Sequence, residues 1–435
     1  MKSTLNQTRS EELVMKLNRR ELLSGMGGLA AATALSSVKN KSSARVLEEL
    51  ATDTKKSFPR KADFAIPEGL TYINGAYTHP IPTGAADAIR RDCEARLRPG
   101  RIDDPGHDAL AKAVKEQFAL LINAKPSEIS FVPNTSTGEN LVFNSLDIVG
   151  SGGNVVTDAL HFDGMILHLQ ALQRSQGLDL RIAMPKNGAI DLRDLEKLVD
   201  KKTKLIEVSL VAMYNGFQHD LKAVCDLAHA HGAYVYADII QAAGNTPIDV
   251  RASGVDFCSC SSFKWLMGDF GLGFLYAREE LLGKIGRPQI GYHSASRMDT
   301  HFLPFDAPAD TPFTWELGSD ASAHFESGSN AFGPMSALGF SLPYIREIGV
   351  PAIEAHRQPL LKRLRQEMPR LGFDPITPEG TKSALITFTV KERAPVLARL
   401  QKVNINVRLG EHFLRVSPSI YNDMRDIDRM LEALS

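Results

Sequence analysis

The sequence predicts an α/β fold: a mainly parallel seven-stranded sheet with helices on both faces, followed by a smaller α+β C-terminal domain. Two observations support this prediction. Short apolar runs rich in Val, Ile, Ala and Tyr recur along the chain, and helical patterns such as Leu221 to His231 separate them. Strands buried on both faces of a parallel sheet are almost continuously apolar, and their alternation with helices is typical of a sheet covered on both sides.

The large domain is expected to span residues 45–333. Within it, residues 287–322 are rich in Pro, Asp, Ser and Gly and show little periodicity, which predicts a long surface loop. The strands of the sheet are predicted at 129–132, 154–157, 180–184, 204–209, 233–237, 255–260 and 272–276.

A small domain is expected at residues 334–435. A long helical stretch begins at Pro334 and leads into short strands near Ala384 to Val390 and Phe413 to Val416. A closing helix is predicted from Asp426 to Leu434.

The first 44 residues differ from the rest of the chain. The pair Arg19-Arg20 precedes a Gly- and Ala-rich run from Gly25 to Leu35 that is too short to span a membrane. This layout predicts a twin-arginine signal peptide with its linker, and the alternative is an amphipathic helix with a chance arginine pair. We therefore expect a periplasmic protein, exported in folded form by the twin-arginine machinery, whose mature chain begins between Val38 and Ala51.

Composition excludes several other classes of protein. The 435 residues are 43% hydrophobic, which is ample for a large core, and the net charge of -1 argues against nucleic acid as a partner. No spacing of Cys and His resembles a zinc site, so no metal is expected. The four cysteines, none of them predicted to be a redox centre, are Cys93, Cys225, Cys258 and Cys260.

Two chemically distinctive residues follow successive predicted strands. Asp238 ends the run that begins at Ala233, and Lys264 lies shortly after the run 255–260. Open α/β sheets bind ligands at the carboxyl ends of their strands. A lysine and an aspartate placed there suit pyridoxal phosphate, because a lysine amine carries it as a Schiff base and a carboxylate keeps its pyridine nitrogen protonated. Taken alone, the pair is equally compatible with a surface lysine and a helix cap.

Three further residue patterns favour the cofactor. Asn134-Thr135-Ser136-Thr137 follows a predicted strand and opens a helix, where free N–H groups and the helix dipole bind phosphate. His161 follows the strand at 154–157 and is a candidate for stacking on the cofactor ring. Gln241, three residues after Asp238, is expected to reach the phenolic oxygen.

The order of these residues resembles the fold-type I, class V aminotransferase superfamily, which includes cysteine desulfurases, kynureninases and isopenicillin N epimerases. The resemblance runs from about Tyr72 to the C-terminus. It rests on eight segments in the expected order: Tyr72-Ile73-Asn74-Gly75-Ala76, Arg98-Pro99-Gly100 with His107 to Leu110, Thr135-Ser136, His161, Asp238 with Gln241, Ser261 to Lys264 with Gly268 to Gly273, Phe325 to Asn330, and Leu414 to Ser417 with Tyr421-Asn422.

The resemblance implies the pyridoxal phosphate transferase fold and assigns a role to each matched residue. Catalytic roles fall to Lys264, as the Schiff-base lysine, with Asp238 on the pyridine nitrogen and His161 stacked on the ring. Cofactor contacts are implied for Thr135, Ser136, Asn215, Gln241, Ser261 and Ser329.

Two arginines and a second subunit complete the implied site. Arg415 matches the arginine that holds the substrate carboxylate, and Arg408 is either a second carboxylate anchor or a salt-bridge partner of Glu411. Ser329 matches a hydroxyl that reaches the phosphate of the partner subunit, which implies a homodimer with shared active sites.

The chain also departs from the desulfurase pattern. Desulfurases carry a nucleophilic cysteine shortly before the C-terminal arginine, whereas residues 407–415 here contain none, so a persulfide mechanism lacks its nucleophile. Phe263 stands where a histidine or tyrosine is common, which removes one phosphate donor. Met213 falls where desulfurases often have Asn near the phenolic oxygen, and Asn215 is the candidate to replace it.

We therefore expect an enzyme that acts on the amino group or Cα of an amino-acid or peptide-like substrate, with Lys264 as the general base for the Cα proton. Aminotransferase and epimerase activities both stay open. The alternatives are a periplasmic pyoverdine-tailoring enzyme, another lyase-type class V activity, and a non-catalytic binding protein that kept the fold.

Overall fold

The computed structural model describes residues 58–97 and 106–435. The predicted signal segment and the Arg98-Pro99-Gly100 part of the resemblance lie outside the described residues. Strands run at β1 Thr71–Tyr72, β2 Ile129–Val132, β3 Asn154–Asp158, β4 Asp179–Ala183, β5 Thr203–Ser209, β6 Tyr234–Asp238, β7 Phe257–Ser261, β8 Gly273–Ala277, β9 Ala295–Thr300, β10 Phe313–Leu317, β11 Ile386–Thr389, β12 Ile405–Asn406, β13 Arg408–Leu409 and β14 Phe413–Val416.

The helices lie between these strands. Their bounds are α1 Thr83–Arg96, α2 Gly106–Ile122, α3 Thr135–Ser145, α4 Asp163–Gln176, α5 Leu192–Glu196, α6 Leu221–Ala230, α7 Val250–Ser253, α8 Glu279–Leu282, α9 Ala321–Phe325, α10 Phe332–Ile348, α11 Val350–Glu367, α12 Arg393–Lys402 and α13 Met424–Leu434. None of the helices in the described part of the chain is long and apolar enough to cross a membrane.

A seven-stranded sheet with the order β2-β8-β7-β6-β5-β3-β4 forms the centre of the fold. Neighbouring strands from β7 to β4 pair in parallel, and β8 runs antiparallel to both of its neighbours. The predicted fold class and all seven predicted strands are therefore confirmed, with bounds shifted by at most two residues.

Helices cover both faces of this sheet because its strands bury both sets of alternating side chains. On one face, Val156 and Val235 pack with Phe118 of α2 and Val224 of α6. On the other face, apolar residues of the strands pack with residues of α3, α4 and α8, among them Val155, Leu205, Tyr236, Phe257, Leu141, Leu169 and Leu281.

A three-stranded antiparallel sheet, β11-β14-β13, lies in the C-terminal part, and β11 and β14 are the two strands predicted there. It packs with α11, α12 and α13 around an apolar cluster that includes Phe388, Leu400 and Ile427. Ile73 belongs to the same cluster, and β1 pairs in parallel with β12. The predicted boundary at residue 333 stays a prediction.

The segment 287–322 corrects one expectation from the sequence. It contains the antiparallel hairpin β9–β10 instead of an irregular loop. Every residue of β10 is exposed, so the strand has no buried face to impose an apolar period on the sequence.

Candidate active site

A cavity of about 190 Å³ opens at the carboxyl ends of β5, β6 and β7. The sheet register pairs Ser209 with Asp238, the last residues of β5 and β6, and pairs Asp238 with Ser259 of β7. Six of the predicted cofactor-binding residues line the cavity: Thr135, Ser136, Asp238, Gln241, Ser261 and Lys264. The fold therefore brings the predicted lysine, aspartate and hydroxyl groups to one place.

Hydroxyl groups surround the N-terminus of α3. Asn134 caps the helix by accepting from the backbone N–H of Thr137 at 2.9 Å. The backbone N–H of Ser261 donates to Thr135 Oγ1 at 2.9 Å, and that of Thr135 donates to Ser261 Oγ at 3.0 Å. These reciprocal bonds fix the end of β7 against the helix N-terminus, whose dipole favours an anion such as phosphate.

Asp238 is a buried carboxylate at the end of β6. Its Oδ1 accepts from the backbone N–H of Ile240 at 2.9 Å. Burial raises the pKa of Asp238, and the neighbouring His161, the hydrogen bond from the backbone N–H of Ile240 and the charge of Lys264 oppose that rise. The neighbouring groups therefore favour the ionised form of Asp238, which burial alone disfavours.

Lys264 lies in a tight turn after β7. The backbone N–H of Met267 donates to the carbonyl of Lys264 at 2.9 Å, and Met267 itself has a left-handed φ of 54°. Burial lowers the pKa of Lys264 to about 8, while Asp238 raises that pKa and Arg415 lowers it further. The amine is therefore far more nucleophilic near neutral pH than an exposed lysine.

Gln241 is held in place by two hydrogen bonds. Its Nε2 donates to the carbonyl of Ala76 at 3.0 Å, and its Oε1 accepts from Trp265 Nε1 at 3.0 Å. One amide N–H stays free for the phenolic oxygen predicted from the sequence. The bond to Trp265 also ties the turn of Lys264 to the residues that follow β6.

Two predicted cofactor residues are placed away from the cavity. His161 is fully buried, and Phe162 lines the cavity next to it. Asn215 is buried in its own loop, where its side chain donates to the carbonyl of Gly188 at 2.6 Å and accepts from Phe217 N at 3.0 Å. Their direct cofactor contacts stay predictions that this geometry does not favour.

The two predicted substrate arginines differ in their surroundings. Arg415 is 5% exposed, and its Nη1 donates to the carbonyl of Met213, a cavity residue, at 2.6 Å. Its Nε has no hydrogen-bond partner within the described residues. Burial and then the charge of Arg408 lower the pKa of Arg415 to about 10. Arg408 is exposed, with its guanidinium 5.3 Å from the centre of the Tyr77 ring.

Ser329 is exposed and does not line this cavity. Three residues earlier, Glu326 is buried and accepts from the backbone N–H of Phe131 at 2.9 Å and from Lys115 Nζ at 2.6 Å. These bonds fix the segment against β2. The predicted contact of Ser329 with a partner subunit stays a prediction.

Sequence reasoning did not single out three kinds of residue at the site. Phe162 adds an aromatic side chain to the cavity lining, Ser209 lies beside Asp238 in the sheet register, and Glu139 and Glu207 form a buried acidic pair nearby. A glutamate inside the apolar strand at 204–209 was the available signal for the last of these, since buried strands rarely carry an unpaired charge.

Comparisons with known proteins agree with this geometry. The family described as aminotransferase class-V matches residues 107–430. A cysteine desulfurase of Klebsiella pneumoniae subsp. pneumoniae is 31% identical over 349 residues, which cover 75% of this chain and 82% of that protein.

Solved structures share the fold. The apo cysteine desulfurase from Thermococcus onnurineus NA1 superposes with a TM-score of 0.75 at 24% identity and covers 87% of this chain and 97% of its own. A mutant of C-DES with glycine covalently linked to its PLP cofactor gives a TM-score of 0.73 at 21% identity, over 86% of this chain and 99% of its own.

Proposed function

This chain belongs to the class V aminotransferase family, and on that premise we propose that it is a pyridoxal-phosphate-dependent enzyme acting on the amino group or Cα of an amino-acid-type substrate. One observation carries the proposal. The Lys264 amine, the Asp238 carboxylate and the hydroxyl groups of Thr135, Ser136 and Ser261 line a single cavity.

The residues of this cavity fit the cofactor. The helix N-terminus at Thr135, with Ser136 and Ser261, suits the phosphate, and the buried Asp238 suits the pyridine nitrogen. Phe162 adds an aromatic side chain to the lining of the cavity. When bound, the cofactor supplies an electron sink for negative charge that develops at the substrate Cα.

The chain's own residues bind the substrate and move its proton. The unpartnered Nε of Arg415 supports a role in binding the substrate carboxylate, which would select amino acids over simple amines. Lys264 Nζ, with a pKa of about 8, takes the Cα proton. Delivery of a proton to Cα from the opposite face, with the first proton left on Lys264, gives epimerisation, and formation of a keto product instead gives transamination.

The positions of the cysteines argue against a cysteine persulfide step. Cys225, Cys258 and Cys260 are buried, and burial raises the pKa of Cys225 to about 12. Cys93 is exposed on α1, and no cysteine lines the cavity. A thiolate nucleophile is therefore missing from the site.

A lyase that eliminates a β-substituent is the second candidate. The relatives named cysteine desulfurase support chemistry at a β-sulfur, and elimination requires no thiol on the enzyme. The tailoring of a pyoverdine-type siderophore in the periplasm is a narrower form of the first proposal.

Borohydride reduction followed by peptide mass analysis tests the shared premise. We expect a reduced pyridoxyl adduct on Lys264, and a protein that retains pyridoxal phosphate without that adduct contradicts the proposal. Incubation with amino donors then separates the reactions. Pyridoxamine phosphate accumulates in transamination, solvent deuterium enters Cα without a keto product in epimerisation, and ammonium is released in elimination.

We further propose that the active form is a homodimer. The hairpin β9–β10 carries an unusually apolar exposed surface, with Phe302, Phe305 and Trp315 each more than half exposed. Exposed apolar patches of this kind mark protein interfaces. The proposed occupant is a second copy of this chain, as the implied role of Ser329 also requires.

We also propose export to the periplasm by the twin-arginine route. The support is the sequence of the first 44 residues alone. Fractionation of cells that express the full chain tests this proposal, because replacing Arg19 and Arg20 by lysine should keep the protein in the cytoplasm. Periplasmic protein in that variant would contradict the route.

A further inference from the structure

Three buried ionisable side chains form a cluster outside the cavity lining. Glu139 lies on α3, His161 follows β3, and Glu207 lies on β5. Glu139 and His161 are 0% exposed and Glu207 is 1% exposed. One ring nitrogen of His161 and one carboxylate oxygen from each glutamate all lie within 4.8 Å of one another. Three such groups are rarely buried together without a function, because burial disfavours charge.

Hydrogen bonds connect the cluster to Ser209, which lies beside Asp238 in the sheet. His161 Nε2 lies 3.2 Å from Glu139 Oε1, and His161 Nδ1 lies 2.9 Å from Ser209 Oγ. Ser209 and Asp238 are register partners on β5 and β6, and both line the cavity. A Ser209 hydroxyl that donates toward the ionised Asp238 accepts from the Nδ1–H of His161, because a carboxylate only accepts. A proton must then lie between His161 Nε2 and Glu139.

The two glutamates cannot both be charged. Within the described residues, Glu139 Oε2 and both carboxylate oxygens of Glu207 lack a partner that meets hydrogen-bond geometry. Desolvation by burial raises the pKa of both carboxyl groups, and the proximity of Glu139 adds to the rise for Glu207. The other titratable groups that face the pair are His161, Tyr236 and Asp238. Two close, unsolvated carboxylates are stable only with a shared proton.

We propose that Glu139 and Glu207 share one proton and carry a single negative charge, and that this pair acts through His161 and Ser209 to set the charge on Asp238. The glutamates are positioning residues, since they do not line the cavity. The coupling to the cofactor rests on the proposed function, in which Asp238 binds the pyridine nitrogen. The shared proton itself does not depend on that function.

Infrared spectroscopy of the apoprotein tests the shared proton. At about pH 7 to 8 we expect the infrared spectrum to show the C=O stretch of one protonated, buried carboxyl group. Glu207→Gln and Glu139→Gln should each lose the band, because the amide replaces the protonated partner and leaves the other glutamate ionised. Glu128→Gln is the matched control, since Glu128 is equally buried but is paired with Arg251 outside the site. Absence of the wild-type band, or a stoichiometric metal in the purified protein, overturns the proposal.

The visible absorbance of the protein loaded with pyridoxal phosphate tests the coupling. In each single glutamine variant the remaining glutamate keeps one negative charge. The pH at the midpoint of the change in visible absorbance should therefore stay close to the wild-type value. The double variant removes that charge and should lower the midpoint by about one pH unit, because nearby cations lose a stabilising anion. If Glu139 and Glu207 had only a structural role, the midpoint would not depend on how many negative charges the pair carries.

The outcomes that overturn the shared proton, the coupling and the proposed function can be told apart. A double variant that folds and keeps the wild-type midpoint overturns the coupling, whatever its melting temperature. If it does not fold, loss of the infrared band in the single variants still decides the shared proton. A wild-type protein without a visible band on addition of pyridoxal phosphate overturns the proposed function and the coupling with it.

Discussion

The Asp238 carboxylate and the Lys264 amine line the same cavity, and each opposes the effect of burial on the other. Burial raises the pKa of Asp238 and lowers that of Lys264, while the charge of each shifts its partner's pKa back toward the ordinary value. Removing one member should therefore change the protonation of the other. This coupling is the basis of the first two predictions.

Asp238→Asn should reduce kcat about 100-fold, because a charge-assisted hydrogen bond worth about 3 kcal/mol would be lost from the pyridine nitrogen. Steady-state kinetics with a fixed amino donor measures the effect. Asp226→Asn, at an exposed position paired with Lys222, is the control and should keep wild-type kcat. An asparagine variant at position 238 with undiminished kcat would contradict the role of Asp238.

The Lys264 amine of the apoprotein should react with amine-specific reagents with a midpoint near pH 8. The folded pKa lies below the ordinary lysine value, so the reactive neutral amine is present above pH 8 and is lost as the pH falls through it. Asp238→Asn should lower this midpoint, because the Asp238 charge raises the pKa. Mass spectrometry of labelled peptides measures both, and Lys222, whose pKa Asp226 raises, serves as the internal reference.

The fold was predictable because burial leaves a strong pattern in the sequence. The strands at 154–157 and 233–237 are apolar on both faces and were located within one residue of their bounds. The hairpin β9–β10 was not predicted because β10 is fully exposed and β9 contains no buried residue, so neither strand carries such a period.

The candidate site could be predicted only for residues whose position is determined by the strand or helix end at which they lie. Lys264, Asp238 and Thr135 follow strand ends, and parallel strands bring those ends together. The surroundings of His161 depend instead on Glu139 and Ser209, which lie 22 and 48 positions away in the sequence. No local pattern encodes such partners.

Arg415→Gln should raise KM for a carboxylate-bearing substrate about 10- to 100-fold, the equivalent of one charge-assisted pair. Arg408→Gln should change KM much less, because Arg408 is exposed and water screens its charge. Steady-state kinetics with the acid and its decarboxylated amine separates carboxylate binding from misfolding. Equal losses for both substrates would exclude Arg415 as the carboxylate anchor.

The double variant Phe305→Ser/Trp315→Ser should shift the protein from dimer to monomer, because it removes two large exposed apolar side chains from the proposed interface. Light scattering coupled to size-exclusion chromatography measures the mass. Leu167→Ser, at an exposed apolar position on α4, is the matched control and should remain dimeric. A wild-type protein that is monomeric at micromolar concentration would contradict the homodimer.

Gly244→Ala should weaken both folding and cofactor binding. Gly244 has a φ of +93°, and a Cβ there would collide with the backbone carbonyl of Trp265, next to Lys264. Gly254→Ala is the control, since its φ is +76° but a Cβ would meet only His229 Cε1 at 3.9 Å. Both variants lose about 1 kcal/mol of unfolding free energy to the left-handed backbone, and the collision should cost Gly244→Ala about 2 kcal/mol more. Urea unfolding and titration with pyridoxal phosphate measure the two effects, and equal cofactor affinity in both variants would show that Trp265 does not position Lys264.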